Sequence, residues 1–179
     1  LDREINIYTV PGLYGSGPEH WQTHWEKLYG YVRVQQDDWD NPVYSKWEYR
    51  LSEAVASSGK QSVILVAHSL GCHLVAKSYS RLRPWIEGVF FVAPPDLDAD
   101  VLKKNLSEFK VGPGVFECPS WLVYSENDPF ASVQYSVAMG RNHGMKCIDV
   151  GMKGHINSDS SIGNWDEGYQ LFSQMLREI

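Results

Sequence analysis

Ser69 stands in Val63-Ile64-Leu65-Val66-Ala67-His68-Ser69-Leu70-Gly71, where an apolar, β-branched run meets a segment that begins a helix at once. A strand-turn-helix junction of this kind turns sharply, pushes the hydroxyl clear of the sheet and leaves the next backbone N–H free to meet negative charge. Small residues belong two places either side of such a serine, because strand and helix approach closely there. Ala67 and Gly71 occupy those places, alanine being the next smallest residue after the usual glycine. A serine hydroxyl is a poor nucleophile at neutral pH, so it needs a base, and the base needs an orienting carboxylate. Asp128, in Ser125-Glu126-Asn127-Asp128-Pro129, follows the strand-like Trp121–Tyr124, and Pro129 biases it towards extended backbone. His155, in Gly151-Met152-Lys153-Gly154-His155, follows the last strand-like segment, where glycines free the backbone to take the dihedrals the geometry demands. Taken alone, Ser69 reads as a helix cap, Asp128 as a turn residue and His155 as a loop histidine. The order Ser, Asp, His, each at a strand end, makes them a candidate triad.

A second N–H for a developing oxyanion is expected from the loop after the first strand, Pro11-Gly12-Leu13-Tyr14-Gly15-Ser16-Gly17-Pro18. Leu13 is the expected donor, Tyr14 the alternative, and Leu70 the partner at the elbow. The loop has neither GxGxxG nor a Lys-Ser/Thr ending, which argues against a nucleotide site. Asp37-Asp38-Trp39 follows the second strand on the same rim. Adjacent carboxylates point in different directions and suit a loop cap better than acid/base work, whereas Trp39 and Tyr14 are expected to wall a substrate pocket. His20-Trp21-Gln22-Thr23-His24 has the spacing of a zinc-protease helix, but Trp21 stands where the general-base glutamate must be. Trp21 and Trp25, four apart, instead predict a packed helix face. No metal and no organic cofactor is expected. Of the remaining histidines, His68 is expected to point away from the nucleophile and His73 to pack inside its helix. His143 should place a favourable charge at a helix C-terminus.

The elements that must position these groups alternate. Ile5–Val10, Tyr31–Val34, Ser62–Ala67, Gly88–Ala93, Ser120–Tyr124 and Lys146–Val150 predict strands, with helices near 18–29, 43–57, 70–82, 132–142 and 164–177. Strands and helices at this interval predict right-handed βαβ crossovers, hence a mainly parallel six-stranded sheet with helices on both faces. The 179 residues fit a single α/β domain over 1–179. The longest irregular connection, 96–119, has room for one short helix around 99–107 and is polar, so the fold should be compact and lidless with a shallow, open pocket.

Sixteen Lys+Arg against 22 Asp+Glu, net −6, argue against non-specific nucleic-acid binding. The longest apolar runs, Val63–Ala67 and Val89–Ala93, are too short to cross a bilayer. Leu1-Asp2-Arg3-Glu4 shows no charged-then-apolar leader pattern. Three cysteines, Cys72, Cys118 and Cys147, make no disulfide framework and suit a reducing, cytoplasmic setting.

The chain resembles the small α/β-hydrolases of the retinoblastoma-binding protein nine group, a serine hydrolase family. The resemblance rests on Pro11-Gly12 with His20-Trp21 and Trp25, then Gln36-Asp37-Asp38-Trp39 with Pro42 and Trp47. It continues through Ala67-His68-Ser69-Leu70-Gly71, Val92-Ala93-Pro94-Pro95, Asn127-Asp128-Pro129 and Gly154-His155-Ile156-Asn157, closing with Gly163, Trp165 and Gly168. It implies an α/β-hydrolase fold and the same Ser69, Asp128 and His155 that the residues themselves single out. The expected activity is cleavage of an ester or similar acyl bond in a small substrate. Thioester or amide hydrolysis is an alternative within that class; a protein-interaction module that keeps the fold is one outside it.

Overall fold

Strand β3 (Ser62–His68) is buried at every position, which is why it reads as a continuous apolar run rather than an alternating one. Strands β1 (Ile5–Val10) and β4 (Ile86–Val92) flank it, both parallel to it. Outside them lie β2 (Val32–Arg33), β5 (Ser120–Tyr124) and β6 (Lys146–Asp149), giving the order β2-β1-β3-β4-β5-β6 with every pairing parallel. The computed structural model describes residues 5–59 and 61–179; the segment read for a leader pattern, Leu1–Glu4, lies outside them.

Alternation along β3 sorts the core into two layers. Val63, Leu65 and Ala67 pack with Leu51 and Val55 of α2 (Tyr44–Ser57), Leu74 and Val75 of α3 (Leu70–Leu82) and Met139 of α4 (Val133–Asn142). Ile64 and Val66 face the other way, against Trp21 and Trp25 of α1 (Trp21–Tyr29) and Phe172 and Met175 of α5 (Asp166–Leu176). Full burial of each large apolar side chain contributes roughly 1.5–3 kcal/mol, so both layers are needed to hold the sheet. Among the described residues, no helix is long and apolar enough to cross a membrane.

Three departures from expectation have a visible local cause, and the other element ends lie within one or two residues of it. Helix α1 starts at Trp21 rather than near 18, because His20 caps it by accepting the Gln22 N–H at Nδ1 (3.1 Å). Strand β4 starts at Ile86, two residues early, since Glu87 and Gly88 weaken the local strand signal. No helix forms over 99–107; turns run through it and a single 3₁₀ turn follows at Ser107–Phe109. Side chains at its two ends compete with a helix for backbone donors: just before it Asp96 Oδ1 accepts from Asp98 N–H, and at its end Asn105 Oδ1 accepts from Ser107 N–H (both 3.0 Å).

Candidate active site

The turn from β3 into α3 holds Ser69 at φ 55°, ψ −126°, a left-handed conformation that a non-glycine residue adopts only under tertiary constraint. Its N–H donates to the Val92 carbonyl (3.0 Å), pinning the turn to β4. The close approach foreseen for Gly71 is real. A Cβ there would overlap the Val10 carbonyl oxygen and sit 2.8 Å from that of Pro11. Gly12 is packed as tightly against the elbow, since a Cβ there would lie 2.9 Å from Leu70 N.

The three candidate residues come together in one hydrogen-bonded chain. Ser69 Oγ lies 2.8 Å from His155 Nε2, and His155 Nδ1 lies 2.9 and 3.0 Å from the two oxygens of Asp128. A carboxylate only accepts, so Nδ1 carries the proton and Nε2 is left to accept from the serine hydroxyl. The side chains of His155 and Asp128 are only 10% and 3% exposed, which strengthens both bonds electrostatically. The loops that carry them are tied to each other: Asn127 Oδ1 accepts from Gly154 N–H and from Ser125 Oγ–H, and Ser125 Oγ accepts from Lys153 N–H (2.8–2.9 Å). Such a chain can take a proton from the serine hydroxyl and return it to a leaving group.

Ser69 opens onto a cavity of about 420 Å³ bounded by the loop after β1, the His155 loop and the connection after β4. Among the described residues neither the Leu13 nor the Leu70 N–H has a protein acceptor, and both residues line the cavity. Tyr14, the alternative donor, is otherwise engaged: its N–H donates to the Trp39 carbonyl (2.9 Å). A polar frame holds this loop from behind. Arg33 Nη1 and Thr23 Oγ1 both donate to the Ser16 carbonyl (2.8 Å), while Ser16 Oγ donates to Gln22 Oε1 and Gln22 Nε2 to the Val66 carbonyl.

Several expectations need correction. Trp39 does not line the cavity; its ring supports Gly15 from behind and meets Trp47 edge-on at 5.6 Å, so it props the loop instead of walling the pocket. Tyr14 does line it, 64% exposed at the mouth. His68 does not turn away from the site: it lines the same cavity and donates Nε2–H to the His155 carbonyl (2.9 Å). His143 does stand at the C-terminus of α4, where it is buried against Phe116 and donates Nδ1–H to the Gly114 carbonyl (2.8 Å). The connection after β4 presents a mixed face to the site: Val101, Leu102 and Leu106 line the cavity beside Lys103 and Lys104, while most of its acids face water. Phe130, not singled out from sequence, packs edge-on against the His155 ring at 4.7 Å. Asp37 and Asp38 are exposed; Asp37 pairs with Arg50, and Asp38 accepts from the Asp40 and Asn41 N–H groups.

Burial keeps three histidines near the elbow neutral. It pushes His20 from 6.5 down to about 3, helped by Arg33, and His73 to about 4; His68 also lies well below its ordinary value. Because the folded values are depressed, the stability these rings contribute is complete above 6.5 and lost as pH falls towards 4 and 3. Every tenfold loss of proton affinity on folding corresponds to ~1.4 kcal/mol. The fold is therefore expected to lose on the order of several kcal/mol between pH 6.5 and 4. The exposed Asp37 and Asp38 carboxyls, held below 3.8, respond only at lower pH. A melting temperature that stays flat from about pH 6.5 to 4.5 would contradict this account.

Fold and site together define an α/β-hydrolase architecture. The chain belongs to the serine hydrolase family, whose model matches residues 7–174. It is similar to a YdeN-like hydrolase from Pectobacterium atrosepticum, at 26% identity over 96% of this chain and 90% of that one (TM-score 0.86). It is also similar to the ydeN gene product of Bacillus subtilis, at 19% identity over 97% and 100% of the two chains (TM-score 0.80). Est1E from Butyrivibrio proteoclasticus, with ferulic acid bound, shares the fold at 12% identity over 99% and 90% (TM-score 0.73). No curated protein matches the chain in sequence.

Proposed function

We propose that the chain is a carboxylesterase-like serine hydrolase that cleaves an ester or similar acyl bond of a small substrate through an acyl-enzyme. The observation that carries this reading is the unbroken Asp128–His155–Ser69 chain at an elbow that opens onto a cavity. Ser69 Oγ attacks the acyl carbon as its proton passes to His155 Nε2; Asp128 steadies the imidazolium that forms. The Leu70 and Leu13 N–H groups receive the developing oxyanion. His155 then protonates the leaving group, and a water activated by the same ring releases the acid. None of these steps draws on a metal or organic cofactor.

The described fold is proposed to act as one domain, and within the family the motifs favour the retinoblastoma-binding protein nine group. A pure interaction module would not need all three side chains in bonding register. Val101, Leu102 and Leu106 are the apolar part of a wall that also carries Lys103 and Lys104. Each methylene contributes ~0.8 kcal/mol only where it is enclosed, so longer chains gain little. A panel of acyl esters and thioesters is therefore expected to show higher kcat/KM for short acyl groups than for long fatty acyl groups, without interfacial activation. A steady rise from acetyl through decanoyl esters would contradict the pocket reading, and no turnover of any acyl substrate would contradict the hydrolase reading.

A further inference from the structure

His155 sits in a loop that its own side-chain bonds do not fix. Gly151 (φ 71°) and Gly154 (φ 58°) precede it and give the backbone freedom to pivot, and Ile156 follows at φ 49°. A β-branched residue is disfavoured there, so surrounding contacts must hold it in place. Ile156 is fully buried.

The contacts are specific. Trp21, at the start of α1, donates its ring N–H to the Ile156 carbonyl (2.9 Å), and His68, at the end of β3, donates Nε2–H to the His155 carbonyl (2.9 Å). Both rings are buried, 1% and 5% exposed, and meet edge-on with centroids 6.0 Å apart. His20 backs the His68 ring at 4.6 Å. On the other side, Ser125 and Asn127 accept the Lys153 and Gly154 N–H groups. Each residue from 153 to 156 thus makes one backbone bond to a side chain of another element.

We propose that His68 and Trp21 are positioning residues, which fix His155 by holding two successive carbonyls of its loop through buried ring N–H donors. The proposal rests on the reading of His155 as the base. A displacement of about 1 Å at such a base can cost on the order of 10²-fold in rate, which gives the two donors their leverage.

The test uses His68→Phe, which keeps a ring and removes the donor, His68→Gln, which restores a donor of similar reach, and Trp21→Phe. Two readouts are taken on the whole chain: kcat and KM for a short acyl ester, and the low-field proton resonance of the His155 Nδ1–H shared with Asp128. His68→Phe is expected to lower kcat by roughly 10²-fold with KM within about threefold, and to shift or erase the resonance. His68→Gln should recover kcat to within about tenfold of wild type, with the resonance restored. Trp21→Phe should act in the same direction, and the double variant should lose less than the product of the singles, because both bonds hold one loop. If His68→Phe does not fold, His68→Asn, whose amide is too short to reach the carbonyl, replaces it. Wild-type kcat and resonance in folded His68→Phe, or equal losses in His68→Phe and His68→Gln, would overturn the proposal. A wild type inert towards every ester would sink the hydrolase reading, while the resonance would still decide the positioning role.

Discussion

Replacing Ser69 with alanine is expected to lower ester turnover by at least roughly 10³-fold while leaving the melting temperature close to that of wild type. The hydroxyl's hydrogen bond is to His155 Nε2, at the cavity surface, so its loss removes the nucleophile and little packing. Alanine at φ 55° meets the same backbone penalty as serine, and the Ser69 N–H bond to Val92 does not depend on the side chain. Residual activity near that of wild type in a folded Ser69→Ala protein would mean that a different group attacks the acyl carbon.

Asp128→Asn is expected to retain the fold and to lose on the order of 10⁴-fold in turnover. The direction follows from the bonds around the carboxyl. Oδ1 accepts the Phe130 N–H at 2.9 Å and would stay an oxygen in asparagine, 3.0 Å from His155 Nδ1, while the Oδ2 position, 2.9 Å from Nδ1, would become an NH₂ facing the ring. That NH₂ competes for Nδ1 as a donor and so favours the tautomer with the ring proton on Nε2, the atom that must accept from Ser69. Activity close to wild type in Asp128→Asn would transfer the orienting role elsewhere, with the exposed Glu126 on the same loop as the first residue to test.

The sheet was legible because its central strands are buried on both faces. Val63–Ala67 and Val89–Ala93 carry their burial as uninterrupted apolar runs, and the elbow follows from a serine placed where such a run ends. The juxtaposition of Ser69, Asp128 and His155 was legible from their order at strand ends, since a parallel sheet brings those ends to one edge. What sequence missed depends on contacts between elements distant in the chain. The direction of His68 is set by the carbonyl of His155, 87 residues away, and nothing in its own neighbourhood encodes that. Trp39 sits next in sequence to two carboxylates on the rim, yet its ring is drawn beneath Gly15 by packing against Trp47. The segment 99–107 has helical length, but Asp96 just before it and Asn105 within it cap turns locally, and Val101, Leu102 and Leu106 face the cavity. Phe130 gave no signal because a lone aromatic after Asp-Pro looks like any loop residue until the His155 ring is placed against it.

Catalysis at this site requires Ser69 to be a nucleophile already activated in the resting fold. Reaction of the purified chain with a fluorophosphonate, read by intact mass and then by peptide mapping, tests that most directly. One equivalent of phosphonate located on Ser69, with no adduct on Ser69→Ala and strongly slowed labelling of Asp128→Asn, is the expected result. A folded wild-type chain that stays unlabelled, or carries the adduct on another residue, would contradict it.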